Sequence, residues 1–392
     1  MAREVTVDST LIGPGVESAP DRFYPSIAGL RGVAAFSVIF AHIYLMSAHA
    51  GFYPPNLPAV LAPSLQALGC STGIFFIISG FVVPASLFRH RSLKRFFTDR
   101  ILRIMPVYVV LHLLVFVVGP FIGYKWLRDI GVAHYLEYFI TNLTFTALPL
   151  GLALAQQNSW TLTYEWAFYI IVAAAWATAR RTRGNRWVTI LIGLAALATC
   201  IVFPIGWGFL LGMVLARFRP TWRMGPALEA AIVPASWISF YYVYQSYGPF
   251  LALPFALVIF WAVLGEGTYT ARFLCLPALQ FLGLISYSLY LVHPIVMFAY
   301  EPFCQRLARH GLGLPAVFSI FALISIVTTP FFAAVSYRTL EVGLRRTLAT
   351  WNGFDSPAPK AARPVEVPGC SLAAGSSRPR PSVRSHTSTT KS

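Results

Sequence analysis

Ten apolar stretches recur along the chain, at 27–45, 67–87, 104–122, 160–178, 188–203, 205–215, 227–244, 250–264, 281–300 and 315–335, each bounded by charged or turn-forming residues. Runs of this kind predict helices that cross a membrane, because in hydrocarbon only a helix or a closed barrel satisfies every backbone N–H and C=O internally. A barrel would show shorter segments of alternating polarity. The pattern therefore predicts an all-α, polytopic transmembrane helical bundle of about ten helices. The region 123–158 is harder to place. Counting its apolar patch 138–154 as a crossing would put the later RRTRGNR cluster outside, so it is read as an outer interfacial or re-entrant segment.

Basic residues fix the orientation, since cytoplasmic loops carry the excess of Lys and Arg. The clusters at Arg89–Arg103, at Arg180, Arg181, Arg183 and Arg186, at Arg217, Arg219 and Arg223, and at Arg338, Arg345 and Arg346 alternate consistently with the ten stretches. Both termini are thus expected in the cytoplasm. Residues 1–25 form a polar N-terminal segment, 26–348 the membrane domain, and 349–392 a basic tail rich in Pro, Ser and Thr that is expected to be disordered. No cleavable signal peptide is expected, because the first residues are polar and the first apolar run is long enough to span.

Composition agrees with this picture. The chain is 57% hydrophobic and 11% charged, with a mean hydropathy of +0.64, where soluble proteins carry roughly a quarter charged residues. The net charge of +16 raises nucleic acid as a partner. The basic residues lie in short clusters between apolar runs and in the tail, however, so membrane lipids are expected instead and nucleic acid is not. Five scattered cysteines without CxxC spacing indicate neither a metal site nor a disulfide framework.

Chemistry enters through ionisable residues inside apolar runs, which by default mark functional sites. Arg31 and His42 both lie in IAGLRGVAAFSVIFAHIYLM. Eleven steps of helix separate them by about 16 Å and close to three turns, so both point roughly the same way. Glu165, in NSWTLTYEWAFY, and His293, in SYSLYLVHP, are read at a similar outer depth to His42, so that one polar pocket would hold two imidazoles and a carboxylate. An imidazole titrates near neutrality and can take a proton from a hydroxyl. The same groups suit a proton relay in a transporter. Arg100 and Arg103, in RILRIMP, share a helix face at the inner mouth, and guanidiniums there suit phosphate recognition or simply the positive-inside bias. Ser79, Ser286 and Ser288 leave room for close helix packing or a thin ligand chain, and Glu341 pairs with the inner arginines or stays hydrated. Tyr124, Trp126, Tyr135 and Tyr138 suit sugar stacking or an interfacial belt.

These motifs in this order carry a resemblance: over roughly residues 26–346 the chain resembles acyltransferase family 3, bacterial integral-membrane O-acyltransferases. The resemblance implies a multi-pass protein of the bacterial cytoplasmic membrane, with no permanently bound cofactor. It would use acyl-CoA, by default acetyl-CoA, as donor and a carbohydrate hydroxyl or macrolide-type molecule as acceptor. It implies Arg31 and His42 as the essential pair with His42 the base, and Glu165 beside them. Arg31, Arg100, Arg103, Ser286 and Glu341 would serve the donor, and Trp160, Glu165 and His293 the acceptor. Two motifs depart from the family pattern: only one carboxylate, Glu165, follows Trp160–Leu162, and Glu341 is followed by Val342 and Gly343. A large hydrolase-like domain after the last span is not expected, which makes this the standalone form. Direct transfer and an acyl-histidine intermediate both remain open, as does the oligomeric state. A proton-coupled secondary transporter built on His42, Glu165 and His293 is the alternative class, and a non-catalytic membrane scaffold a third.

Overall fold

The computed structural model describes residues 24–182, 185–218, 224–265 and 267–351; residues 1–23 of the polar N-terminal segment, 352–392 of the basic tail and Arg183, Arg219 and Arg223 of the inner clusters lie outside the described residues. Among the described residues the fold is entirely helical. In chain order the helices are α1 (Pro25–His49), α2 (Leu61–Ala67), α3 (Thr72–His90), α4 (Leu93–Ile122), α5 (Val132–Leu143), α6 (Ser159–Arg181), α7 (Arg186–Val202), α8 (Gly206–Arg217), α9 (Pro226–Tyr247), α10 (Pro249–Leu264), α11 (Tyr269–Leu274), α12 (Pro277–Leu284), α13 (Ser286–Arg309), α14 (Leu314–Ser336) and α15 (Arg345–Trp351). Local chemistry sets several boundaries. Pro25 opens α1, where its missing N–H costs nothing; Ser92 caps α4 by accepting from the Arg95 amide at 3.4 Å; Gly123, at φ +68°, ends it in the left-handed region.

Helix α1 is the central column. Its residues enter three buried clusters: Val38 packs with Leu87, Phe96 and Tyr169, Leu30 and Ala34 with Ile77, Phe240 and Phe260, and Ile39 and Ile43 with Leu289, Met297 and Phe321. The outer faces of the peripheral helices are apolar yet exposed, as at Leu113, Val117 and Phe121 of α4, Ile190, Leu194 and Ile201 of α7, and Leu323, Val327 and Phe331 of α14. A three-to-four-residue spacing of exposed large hydrophobes is the signature of lipid contact, since water would penalise it.

Every one of the ten apolar stretches contains a helix, but not every helix spans by itself. Four helical stretches are long and apolar enough to cross a membrane, Pro25–His49, Leu61–His90, Leu93–Ile122 and Leu314–Trp351, and a fifth crossing results if the bent pair α12 and α13 counts as one. Four of the ten expected crossings are thus met by single helical stretches and a fifth by the bent pair. Helices α7, α8 and α10 have 17, 12 and 16 residues, at or below the lower end of the roughly 17–25 residues of a usual spanning helix. Polar residues interrupt α6 and α9. The difficult region 123–158 contains α5, whose 12 residues likewise fall short of a crossing. It is stitched back onto α4 by the Tyr108 hydroxyl donating to the Asn142 carbonyl at 2.6 Å and the Tyr135 hydroxyl donating to the Phe116 carbonyl at 2.7 Å.

Two backbone irregularities lie where the site is built. The chain bends by 74° between α12 and α13, and Tyr337–Leu344 joins α14 to α15 as a π-helix. Close packing elsewhere depends on absent side chains. A Cβ on Gly80 would fall 2.1 Å from the Phe209 carbonyl oxygen, and one on Gly212 2.0 Å from that of Ile77, so α3 and α8 touch backbone to backbone. Gly212→Val should therefore cost more than the roughly 1–3 kcal/mol of ordinary overpacking. Thermal melting of the detergent-solubilised protein should show a marked drop for Gly212→Val and none for Gly193→Val, where an added Cβ meets nothing within 4 Å.

Candidate active site

Helix α1 presents Arg31 and His42 along one lane, about 16 Å apart by helix rise, and both side chains are half-buried. At the inner end the ionisable groups acting on Arg31 are Arg103 of α4, Glu341 of the π-helix, and Glu165 and Tyr169 of α6. Arg103 sees the same three partners, Tyr169, Glu341 and Glu165. Two guanidiniums and two carboxylates thus lie within electrostatic reach of one another at the inner end.

Neutral donors complete each carboxylate. Glu165 accepts from the Ser79 hydroxyl of α3 at 3.3 Å and from the Tyr169 hydroxyl one turn along its own helix. Glu341 accepts from the Ser288 hydroxyl at 2.9 Å, and Ser336 donates in turn to Ser288 at 3.4 Å. Ser288 lies in the first turn of α13, so the carboxylate also meets the positive end of that helix. The π-helix makes this possible. In an α-helix Ser336 and Glu341 would point about 140° apart, whereas i to i+5 hydrogen bonding stacks residues five apart on one face. Beside them the Tyr287 hydroxyl donates to the Ile104 carbonyl at 2.7 Å, which ties α13 to α4 next to Arg103.

The expected pairing of Arg100 with Arg103 is not what the structure shows. Arg100 is 4% exposed; its Nη2 donates to Ser86 Oγ at 2.7 Å and lies 3.8 Å from Asp99, and the guanidinium sits 5.6 Å from the Phe96 and Tyr169 ring centres. It braces α3, α4 and α6 rather than facing the mouth. Ser286 is likewise sealed: its hydroxyl donates to the Gly283 carbonyl at 2.8 Å and closes the bend before α13. Trp160 is half-buried, with Phe76 and Tyr164 ring centres 6.0 and 6.1 Å away.

At the outer end His42 and His293 meet edge to face, with ring centres 4.6 Å apart at 76°. His42 Nδ1 lies 3.0 Å from the Val38 carbonyl. A carbonyl only accepts, so this nitrogen carries hydrogen, and in the neutral ring Nε2 holds the basic lone pair. The structure brings the two imidazoles together, while it commits Glu165 to Ser79 and Tyr169 in the cluster around Arg31. Sequence reading passed over Asn158, whose amide reaches both the Tyr290 carbonyl and His293; it also left Tyr169 without a role and read Ser79 only as a packing or ligand-chain position. The i to i+4 spacing of Glu165 and Tyr169 was the one signal available.

The outer aromatics split. Tyr124 and Tyr135 spend their hydroxyls on the Ala155 and Phe116 carbonyls, and the Trp126 and Tyr138 rings meet tilted by 40° with centres 4.3 Å apart. Among the described residues no cluster of three or more metal-ligating side chains occurs. Cys70, Cys200 and Cys304 are free thiols; Cys275, expected as core filler, is disulfide-bonded.

The model of the acyltransferase domain family matches residues 24–335. Peptidoglycan O-acetyltransferase OatA of Listeria monocytogenes is 24% identical over 384 residues, covering 85% of this chain and 57% of that protein. The O-acetyl transferase of Shigella phage Sf6 is 25% identical over 246 residues, covering 56% of this chain and 68% of the phage protein. The chain therefore spans little more than half the length of the Listeria relative. No solved structure matches.

The two arginines that approach Asp99, Arg100 and Arg345, should separate by stability. Arg100→Ala strips a buried partner network and should cost about 3–5 kcal/mol. Arg345→Ala removes a 2.9 Å pair with a partly exposed Asp99 and should cost about 1 kcal/mol or less. Thermal melts of the two variants in detergent should show this order.

Proposed function

Since the chain belongs to the acyltransferase domain family, whose model spans residues 24–335, we propose that it is a membrane O-acyltransferase moving an acetyl group from acetyl-CoA to a hydroxyl of a cell-surface carbohydrate. The observation that carries this reading is the α1 lane, with two guanidiniums and two carboxylates gathered around its inner end and an oriented, half-buried imidazole at its outer end. The relatives' names point to the acceptor class. Peptidoglycan or a related glycan is the first to test, and a macrolide-type hydroxyl the second.

Ten crossings with both termini cytoplasmic, in the bacterial inner membrane, form the proposed topology. Acetyl-CoA enters from the inner side. Its phosphates meet Arg103 and the exposed Arg91, Lys94 and Arg95 at the start of α4, and Arg100, sealed against Ser86, is left out of that role. The pantetheine arm extends past Arg31 and brings the thioester towards His42. There His42 Nε2 takes the proton of the acceptor hydroxyl while its oxygen attacks the thioester carbonyl. The C–S bond breaks as the carbonyl re-forms, and the CoA thiolate takes the proton back from the imidazolium. The products are an acetyl ester and CoA, and His42 is returned neutral.

One observation favours a transporter, the 74° break between α12 and α13, because transporters place such breaks at their binding sites. Turnover separates the two readings. Purified full-length protein should release CoA from acetyl-CoA in the presence of muropeptide fragments, with acetyl esters appearing on them by mass spectrometry. His42→Ala should lose at least about a hundredfold of this rate, the usual worth of a general base, without a change in melting temperature. Absence of CoA release from the wild type, or normal turnover by His42→Ala, overturns the assignment.

A further inference from the structure

The polar groups outside the reading above concentrate around Asn158, a buried residue at the entrance to α6. Its Nδ2 lies 2.5 Å from the Tyr290 carbonyl oxygen. That contact settles which end of the amide is which, because two oxygens without hydrogen do not approach so closely. The same Nδ2 lies 3.4 Å from His293 Nε2, and an amide nitrogen only donates, so Nε2 accepts. On the far side of the ring His293 Nδ1 lies 3.0 Å from the Leu289 carbonyl, which also only accepts. Two independent contacts therefore demand one tautomer, a neutral imidazole with hydrogen on Nδ1.

His293 has no exposed surface, and both of its ring nitrogens are engaged. The residues packed around it repeat the pattern. Thr161 of α6 hydrogen-bonds the Tyr290 hydroxyl at 3.1 Å, and the Tyr290 ring stands 6.0 Å from His293. The remaining face of His293 meets His42 edge to face at 4.6 Å. A ring held at both nitrogens neither relays a proton nor offers a nitrogen to an acceptor sugar. It acts as a fixed wall.

We infer that Asn158 and His293 form a neutral positioning arm for His42: Asn158 spends both amide hydrogens locking His293 in one tautomer, and the locked ring sets the orientation in which the His42 Nε2 meets substrate. This rests on the reading of His42 as the base, and it takes His293 out of the substrate-binding and proton-relay roles that its sequence context suggested. Asn158 and His293 are positioning residues, since neither is placed on the reacting atoms.

Two measurements on the full chain in detergent test the arm. Diethylpyrocarbonate labels imidazole nitrogens, and peptide mass mapping reads each histidine separately. His42 should be modified in the wild type and His293 should not; in Asn158→Ala, which frees Nε2, His293 should become modified. Labelling of His293 in the folded wild type overturns the lock, whatever the activity. The second measurement is steady-state CoA release from acetyl-CoA. Asn158→Ala should lower kcat at least tenfold and leave the acetyl-CoA KM within twofold, and Asn158→Ser, which retains one donor, should fall between. In a His293→Ala background Asn158→Ala should add less than a twofold loss, as expected for residues acting through one contact. Additive losses, or a KM effect at unchanged kcat, overturn the arm. Full turnover by His42→Ala would instead sink the base assignment while the labelling result stands. If Asn158→Ala fails to fold, Asn158→Ser carries both readouts.

Discussion

Two guanidiniums held inside an apolar bundle are the constraint on which the rest of the architecture depends. A charged side chain at the centre of a bilayer costs at least about 2.5–3.5 kcal/mol on insertion scales, and Arg31 and Arg103 repel each other besides. Carboxylates are the only side chains that offset both penalties. Glu165 must therefore reach the cluster from α6, and Glu341 from the far end of the chain, so α6 and the segment after α14 are tied to α1 and α4 by charge. Each carboxylate in turn needs donors for its remaining lone pairs. Ser79, Tyr169 and Ser288 supply them.

Regular helices would not deliver these groups. Ser288 reaches Glu341 because α13 begins at a 74° bend beside the cluster rather than running on from α12. Glu341 shares Ser288 with Ser336 because the π-helix stacks residues five apart. Such departures from α geometry leave backbone groups to satisfy, which lipid cannot do, so they are tolerated only where protein or an internal cavity surrounds them. The bend illustrates the point. Ser286 fills it by donating to the Gly283 carbonyl, which explains why a serine is needed there although it faces no ligand.

What the sequence made legible follows from this geometry. Helix period alone puts Arg31 and His42 in one lane, and apolar run lengths locate every major helix. The same period misleads for Arg100 and Arg103. Three residues apart, they share a face on paper, yet Ser86, Phe96 and Tyr169 draw one into the protein while the other turns to Arg31. The π-helix is invisible to a 3.6-residue reading, so the register of Glu341 was out of reach. Asn158 was hidden for another reason: its partners lie 132 and 135 positions away, and no local pattern announces a contact of that span.

The two ends of the lane differ in kind. At the inner end the charged groups gather, two cations and two anions. At the outer end the contacts are those of neutral groups: an imidazole on a carbonyl, a second imidazole on an amide, a threonine with a tyrosine. A base that must receive a proton works best from its neutral form. Orienting His42 through the Val38 carbonyl leaves the carboxylates free for the guanidiniums, whereas a carboxylate at Nδ1 would favour the charged ring. The 16 Å or so between the ends therefore separates two electrostatic environments, and in the proposed reaction a long flexible carrier arm is the kind of donor that bridges them.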